Sequence, residues 1–312
     1  MKNLLLFLFL FSISSTAAAD NTTRVFVSIA PLHSLVQGVM GDTGEAKLLI
    51  KASVSPHGFQ LKPSQMRALK TAHIIFSIGP SFETSLHKAV SALSLADNVT
   101  HLIDAKGVEL LESRSGGAWD DHDKAHSHEH EGEAIEHNGN LDPHIWLDPF
   151  NGIAMVNTIA TELARIYPEN EGEFYANADK LIGKIKLLNE NIAVKLTPVN
   201  SQPYIVFHDA FQYFETHYGM KAVGGIVVDP SRNPSIARMK EIRAQIKTTK
   251  AICAFREPQF SGKLVDVALD GSSAKPGVLD PIGQAIPLGP DLYLQMLTQM
   301  ADQMLSCLKQ QQ

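Results

Sequence analysis

The chain contains little cysteine, with only two residues among 312. Neither thiol has a CxxC partner, so both are poor candidates for metal ligands. Basic residues are outnumbered, 27 Lys and Arg against 33 Asp and Glu, so the sequence does not provide the basic face that nucleic-acid binding requires. The HExxH and GxSxG patterns of zinc proteases and α/β-hydrolases are also absent. These absences argue against a nucleic-acid-binding protein and against common hydrolases.

The chain also lacks an apolar run that is long enough to cross a bilayer. The run Leu4–Phe11 is about half of the roughly 20 residues that a membrane span needs. It follows Lys2 and precedes Ala17–Ala19, which is typical of a secretory signal peptide over residues 1–19. A retained anchor is the weaker interpretation, and no cysteine at the cleavage site could accept a lipid. We expect a mature protein that begins near Asp20, in the periplasm if the cell has two membranes.

The two cysteines, Cys253 and Cys307, form an even pair in a chain that we expect to be exported. Such a pair most economically forms one disulfide. The loop between them is long, and closing it should stabilise the fold by roughly 4 kcal/mol on the chain-entropy model.

One segment, Gly116–Asn140, is crowded with groups that bind metals. It contains seven carboxylates and one lysine, which accounts for the formal net charge of -6. A solvated acidic linker is the usual interpretation of such a run. Imidazole and carboxylate groups bind divalent first-row metals, however, and the segment predicts a loop that collects such ions loosely. The five histidines that favour this interpretation are His122, His126, His128, His130 and His137.

Short apolar segments alternate with amphipathic helical patterns in both halves, which predicts parallel sheets built from βα units. The expected strands are Arg24–Ile29, Ala46–Ile50, Ile74–Ile78, Val99–Ile103, Tyr204–Phe207, Ala222–Val227, Ala251–Phe255 and Gly277–Leu279. The expected helices are Pro63–Thr71, Phe82–Leu95, Ser235–Thr248, Gly262–Asp270 and Asp291–Leu308. The fold class is therefore α/β, with an N-terminal lobe over 20–169 and a C-terminal lobe over 198–312.

A single long helix over residues 170–197 is expected to join the lobes. Its apolar residues recur at steps of three and four, the pattern of one apolar stripe. They are Phe174, Ala178, Leu181, Ile185, Leu188 and Ile192. A coiled-coil dimer is the alternative, although only about four heptads are present. Pro198 ends the pattern.

Four side chains follow strand candidates, where open α/β sheets bind their ligands. His57 lies in a short loop after the second strand, and His208 ends the strand YIVFH. Asp280 ends GVLD, and His144 lies between the two Asp-Pro turns of LDPHIWLDP. Three imidazoles and one carboxylate make a plausible tetrahedral site for Zn(II), in the cleft between the lobes.

Glu257 also follows a strand, in FREPQF. It could be a ligand, but we favour a supporting contact to His208 or His144. Four other histidines have no comparable context, and we expect structural or surface roles for them: His33, His73, His87 and His101.

The sequence resembles the metal-binding subfamily of the solute-binding proteins of ABC importers, and within that subfamily it is most similar to the zinc-binding members. The resemblance covers nearly the whole mature chain. The motifs that carry it, in order, are PHGFQLKPS, DPHIWLDP, FHDAFQYF, FREPQF and LDPIG.

The resemblance implies two α/β lobes, a rigid connecting helix and a buried metal, with a membrane permease and its ATPase as partners. His57, His144 and His208 match ligand positions of the family. Manganese-type relatives carry glutamate at the position of His208, so this chain is expected to bind zinc. Some zinc members place a glutamate before the first histidine, where this chain has Pro56. Asp280 is our choice for the fourth ligand over water.

Three other functions are weighed against a monomeric zinc carrier. A secreted zinc hydrolase would use Glu257 as its general base. A manganese-type solute-binding protein and a buffering or adhesive metalloprotein are the others. For the carrier, we expect the loop to pass zinc to the four-ligand site. Because neutral imidazole is the form that binds zinc, lowering the pH below about 6 should weaken zinc binding.

Overall fold

A computed structural model describes residues 24–114, 141–227, 230 and 232–309. Each half of the chain contains one four-stranded sheet, and every strand pair within these sheets is parallel. The predicted α/β class with two parallel-sheet lobes and one long helix is therefore confirmed. In the described part of the chain, no helix is long and apolar enough to cross a membrane.

The N-terminal sheet has the strand order β2-β1-β3-β4. Its two central strands are buried apolar runs, as expected for parallel strands covered on both faces. The strands are β1 (Val25–Val27), β2 (Lys47–Leu48), β3 (Ile74–Ser77) and β4 (Val99–His101), and the helices between them are α1 (Ala30–Met40), α2 (Pro63–Leu69) and α3 (Thr84–Ala92). The sequence patterns did not predict α1, because it is buried on most of its surface and has no polar face.

Two antiparallel helices, α4 (Pro149–Ile166) and α5 (Glu171–Leu196), connect the sheets. The helix α5 matches the predicted connecting helix and spans about 39 Å at 1.5 Å per residue. Its apolar stripe packs against α4, α1 and the C-terminal helix α9 (Leu292–Leu308). The stripe is thus used within the fold, which removes the reason to expect a coiled coil.

The C-terminal sheet has the order β6-β5-β7-β8. Its strands are β5 (Tyr204–His208), β6 (Ala222–Val227), β7 (Cys253–Arg256) and β8 (Lys275–Val278), and its helices are α6 (Gln212–Tyr218), α7 (Ile236–Thr249) and α8 (Lys263–Leu269). The strand β8 begins two residues earlier than predicted and contains Pro276. It lies at the sheet edge, where a missing backbone N–H is tolerated.

The larger of two hydrophobic clusters in the described residues is shared by both lobes and runs from β1 to α9, whereas the smaller one lies within the C-terminal lobe, between its sheet and the helices α7 and α8. At the centre of the larger cluster, Ser34 of α1 accepts a hydrogen bond from the backbone N–H of Tyr293, at 3.0 Å. The hydroxyl of Tyr293 in turn donates to the carbonyl of Trp146, at 2.9 Å. The last helix therefore ties the C-terminal region to the N-terminal lobe.

A disulfide between Cys253 and Cys307 joins the start of β7 to the end of α9, with a Cα–Cα distance of 6.2 Å. The pairing that we predicted is therefore confirmed in the structure. Glu257 follows the opposite end of β7, so the disulfide lies about four residues, or roughly 13 Å, along the strand from the candidate site.

Replacing both cysteines by alanine is expected to lower the free energy of unfolding by about 4 kcal/mol, because the unfolded chain loses a long closed loop. Urea unfolding of the oxidised protein and the double variant measures the difference, and chemical reduction of the unchanged chain is the control that leaves no cavity. Zinc stoichiometry should stay the same. Equal unfolding free energies, or free thiols in freshly prepared protein, would contradict the prediction.

Candidate metal centre

The candidate site lies where the carboxyl ends of strands from both sheets face each other. His208 is the last residue of β5, and Glu257 follows β7. These two strands are neighbours at the point where the strand order reverses. Parallel α/β sheets form their binding crevice at this point, so the topology itself brings the two side chains together.

The other two histidines lie on turns of the N-terminal half. His57 lies between β2 and α2, followed by Gly58 with a φ of +75°. His144 precedes the helix α4, whose first turn is fixed by the sequence Asp-Pro. The carboxylate of Asp148 accepts from the N–H of Phe150 at 2.6 Å, as an N-cap does.

The three imidazoles form a nearly equilateral triangle. The distance between ring centroids is 5.5 Å for His57 and His144, and 5.3 Å from His208 to each of the others. One nitrogen of each ring lies within 4.8 Å of the others. Nitrogens bound to one tetrahedral zinc lie about 3.4 Å apart, so only a small contraction is needed for all three to bind one ion.

Two of these imidazoles are each held from behind by their own buried carboxylate. Nδ1 of His144 lies 2.7 Å from Oδ1 of Asp142, and Nδ1 of His208 lies 2.5 Å from Oε1 of Glu257. Each Nδ1–H donates to its carboxylate, which leaves the lone pair on Nε2. Both Nε2 atoms are buried and have no hydrogen-bond partner among the described residues. A metal ion is the partner that this donor set fits.

The same contacts set the protonation of the two imidazoles. Burial lowers the pKa of His144 well below its usual value, and the neighbouring His208 adds to this effect. Burial also acts to lower the pKa of His208, but the charge and hydrogen bond of Glu257 outweigh it, so this pKa is raised. In the metal-free protein, His208 therefore takes up a proton before His144 does.

The histidines line a small cavity with mainly apolar walls. The ring of Phe82 makes an edge contact with His57, with the centroids 5.1 Å apart. Apolar walls exclude water and strengthen electrostatic interactions inside the site. The other apolar side chains of the wall are Pro56, Trp146, Phe260, Pro281 and Ile282.

Asp280 does not belong to the group of three histidines whose nitrogens lie close together. Its carboxylate is occupied by the turn that follows it. Its Oδ1 accepts from the N–H groups of Ile282 at 3.1 Å and Gly283 at 3.0 Å, and its Oδ2 accepts from that of Gln284. The side-chain amide of Gln259 donates to Oδ1 at 2.8 Å. The carboxylate thus caps the turn after β8 in this structure, and the fourth ligand stays a prediction.

Glu257 makes the supporting contact to His208 that the sequence suggested, rather than joining the three-histidine group. The four discounted histidines have contacts elsewhere. His33 bonds to the carbonyl of Ala46, His73 to the hydroxyl of Tyr167 and His101 to Ser77, whereas His87 lies beside His101. The five loop histidines lie outside the described residues.

Two contributors to the site were missed in the sequence. Asp142 could have been recognised, since a carboxylate two residues before a candidate ligand can reach its Nδ1 atom. Phe82 gave no signal, because an aromatic residue before a helix is common. Its position beside His57 results from the packing of the loop after β3, where the buried Glu83 accepts the N–H groups of Ile78 and Gly79.

Comparison with known proteins gives a consistent result. Residues 25–307 match the family model of ZnuA, the periplasmic zinc-uptake complex component A. The high-affinity zinc uptake system protein ZnuA of Brucella abortus strain 2308 is 41% identical over 332 residues, which cover 99% of each chain. That of Yersinia pestis is 32% identical over 296 residues, 92% of each. A crystal structure of ZnuA superposes with a TM-score of 0.76 at 25% identity, over 92% of this chain and 100% of the other.

Replacing Glu257 by glutamine should lower the pKa of His208, because burial then acts without the opposing charge. Imidazole resonances of the metal-free protein, followed by NMR against pH, measure this shift. In the unchanged protein, the pair stabilises the metal-free fold below pH 6.5, and this contribution is lost as the pH rises through the raised pKa of His208. Zinc binding has the opposite pH dependence, since zinc needs the neutral ring.

The control for this titration is Glu190→Gln, which removes an exposed carboxylate from α5. It should leave the pKa of His208 as it is. A pKa of His208 that stayed raised in Glu257→Gln would mean that another group holds the proton.

Proposed function

The chain belongs to the ZnuA family of periplasmic zinc-uptake components, and we propose that it captures one Zn(II) ion between its lobes through His57, His144 and His208. The observation that carries this proposal is the convergence of three imidazoles, two of which have a buried Nε2 with no partner among the described residues. The ion is the cargo of an ABC transporter. A membrane permease and its ATPase would receive it from the loaded protein.

The ligand set favours zinc over manganese. Three imidazole nitrogens suit a borderline-soft ion, whereas Mn(II) prefers oxygen ligands. The neutral rings do not compensate the charge of the ion by themselves. Asp142 and Glu257, each 2% exposed, lie directly behind two of the rings and would supply negative charge to the bound ion. In the metal-free protein, burial raises the pKa of Asp142 to about 7. The manganese-type alternative is therefore not favoured.

A carrier fits the site better than a hydrolase does. A catalytic zinc site needs an open coordination position and a general base close to the bound water. Glu257 was the candidate base, but its carboxylate is held by His208 at 2.5 Å. Asp142 is held in the same way by His144. Both carboxylates thus support ligands, and the family is the solute-binding component of a transporter.

Asp280 is our candidate for the fourth coordination position. Four donors surround its carboxylate, and a carboxylate offers about four lone-pair sites. Coordination therefore requires one donor to leave. The amide of Gln259 is the donor that can rotate away, since the others are backbone groups of the turn.

The remaining parts of the proposal concern residues outside the described ranges. We propose that residues 1–19 are removed on export and that the mature protein acts in the periplasm as a monomer. The segment with five histidines would collect zinc at lower affinity, because its sequence is rich in ligands and glycine but has no apolar pattern that would build a fixed site, and ordering ligands on binding opposes affinity.

Single alanine replacements of His57, His144 and His208 should each lower the zinc affinity by orders of magnitude, because each removes one of the three nitrogen ligands. Competition titration against a chelator of known affinity measures the loss. His73→Ala is the matched control, since this exposed histidine contacts Tyr167 away from the site. Wild-type affinity in His208→Ala would show that the ligand set is wrong.

Asp280→Asn tests the fourth ligand, because asparagine keeps the shape of the side chain but removes its charge. We expect a larger loss of zinc affinity than in Glu257→Gln, together with an altered absorption spectrum of the Co(II)-loaded protein. Gln259→Ala should keep tight binding, since it only frees the carboxylate. An unchanged affinity and spectrum in Asp280→Asn would assign the fourth position to water.

A further inference from the structure

A cluster of partly buried charges lies next to His208, one of the proposed zinc ligands. Its centre is Arg114, the last described residue before the histidine-rich segment. The Nε of Arg114 donates to both oxygens of Asp209, at 2.9 and 3.1 Å, and its Nη2 donates to Oδ1 of Asp209. Its Nη1 donates to Glu215 at 2.8 Å. The guanidinium thus binds one carboxylate through two nitrogens and a second carboxylate through its third nitrogen.

These contacts join the two lobes next to two of the proposed zinc ligands. Asp209 directly follows His208, and Glu215 lies on α6 of the same lobe, whereas Arg114 belongs to the N-terminal half. The side chain of Glu215 is only 4% exposed. Its other oxygen accepts from the hydroxyl of Tyr204 at 3.1 Å. Both carboxylates are therefore held in place, and Arg114 is fixed against them.

The chain beside Arg114 is also tied to the segment that carries His144. Leu111 accepts a hydrogen bond from the N–H of Asp142 at 2.9 Å, and Glu112 pairs with Leu141 in an antiparallel bridge. The hydroxyl of Tyr213, on α6, donates to the carbonyl of Asp142 at 2.9 Å and accepts from the N–H of Leu111 at 3.0 Å. Any displacement of Arg114 is thus transmitted to Asp142, which orients His144.

We infer that Arg114 is a positioning residue for zinc binding, which clamps the His144 segment to the turn after His208 so that the two imidazoles are correctly spaced before the ion arrives. The inference rests on the proposed function of the site. A preorganised site loses less freedom when its ligand binds. Arginine suits this role because its planar fork fixes the direction of several hydrogen bonds at once, which the single ammonium of lysine cannot do.

The charge of the cluster supports the same role. One guanidinium faces the carboxylates of Asp209 and Glu215, so the cluster has an excess of negative charge close to the cleft. Removing the arginine would leave two poorly hydrated anions that repel each other, and the turn after His208 would move to rehydrate them. The consequence at the site would be a changed spacing between His144 and His208.

Arg114→Met and Arg114→Lys test the inference, with zinc affinity and the zinc dissociation rate as readouts. Losing a group that orients a metal ligand weakens metal binding by about 10- to 100-fold, and we expect Arg114→Met to fall near the lower figure, mainly through faster dissociation. Arg114→Lys should recover part of the loss. The Co(II) spectrum should shift in Arg114→Met, which a general loss of stability would not cause.

The matched control is Arg243→Met. It removes an exposed pair between Arg243 and Asp270 in the C-terminal lobe. It should keep the wild-type affinity, dissociation rate and spectrum. A second control deletes residues 120–137 and leaves Arg114 in place. The deletion should keep tight binding. If it weakens the tight site as much as Arg114→Met does, the effect belongs to the histidine-rich segment and the inference is wrong.

If Arg114→Met folds and keeps the wild-type zinc affinity and zinc dissociation rate, the inference is overturned. If that variant does not fold, Arg114→Lys decides, and wild-type values for it would overturn the inference as well. Failure of the proposed function looks different, because the unchanged protein would then lack tight zinc binding or keep it in His208→Ala. The two failures are therefore distinguishable in one set of titrations.

Discussion

Two buried carboxylates hold the imidazoles of His144 and His208 by their Nδ1 atoms, and the rest of the site depends on this pair of contacts. They fix which nitrogen carries the proton, and they leave the lone pair on Nε2, the atom that we propose binds the ion. Without them, each ring could rotate or bind water through either nitrogen. A buried carboxylate is costly unless it is hydrogen-bonded, so the architecture around the cleft has to provide partners for these groups. Glu257 accepts from the ring that it orients. Asp142 accepts through Oδ1 from the ring and the backbone N–H of His144, whereas its buried Oδ2 has no hydrogen-bond partner among the described residues.

The parallel sheets explain why such distant residues meet. His208 and Glu257 are 49 positions apart in the chain, yet they follow adjacent strands at the point where the strand order reverses. The N-terminal half supplies its histidines from turns. A core shared by both lobes holds these turns against the C-terminal sheet. The indole of Trp146 shows this directly, since it donates to the carbonyl of Pro281 across the cleft at 2.7 Å. The spacing of the three rings is therefore a property of the whole fold.

Most of the fold and three of the four proposed ligands could be predicted from the sequence, because strand ends and Asp-Pro turns have local signatures. The helices that escaped prediction are α1, α4 and α6. The helix α1 is buried on most of its surface and α6 has only seven residues, whereas α4 has an amphipathic pattern that could have been recognised. Asp280 resembled the histidines because it too ends a strand. Which partners a carboxylate finds depends on the turn that follows, and here three backbone N–H groups reach it. Arg114 is 95 positions from Asp209, so no sequence spacing points to their contact.

The arrangement separates two requirements that a metal site must meet. In the proposed site, the nitrogen donors would favour zinc, whereas part of the negative charge for the divalent ion would come from carboxylates that are hydrogen-bonded behind the rings. A carboxylate that bound the ion directly would supply charge, but it would also favour oxygen-preferring metals. Keeping most of the charge behind the rings limits this conflict to Asp280, the one carboxylate proposed as a direct ligand, at the cost of acidic groups that must stay buried without the ion. The burial of apolar side chains in the shared core offsets that cost, and the packing keeps the carboxylates beside their donors. Tight packing around the site is thus what allows three of its four proposed ligands to be neutral.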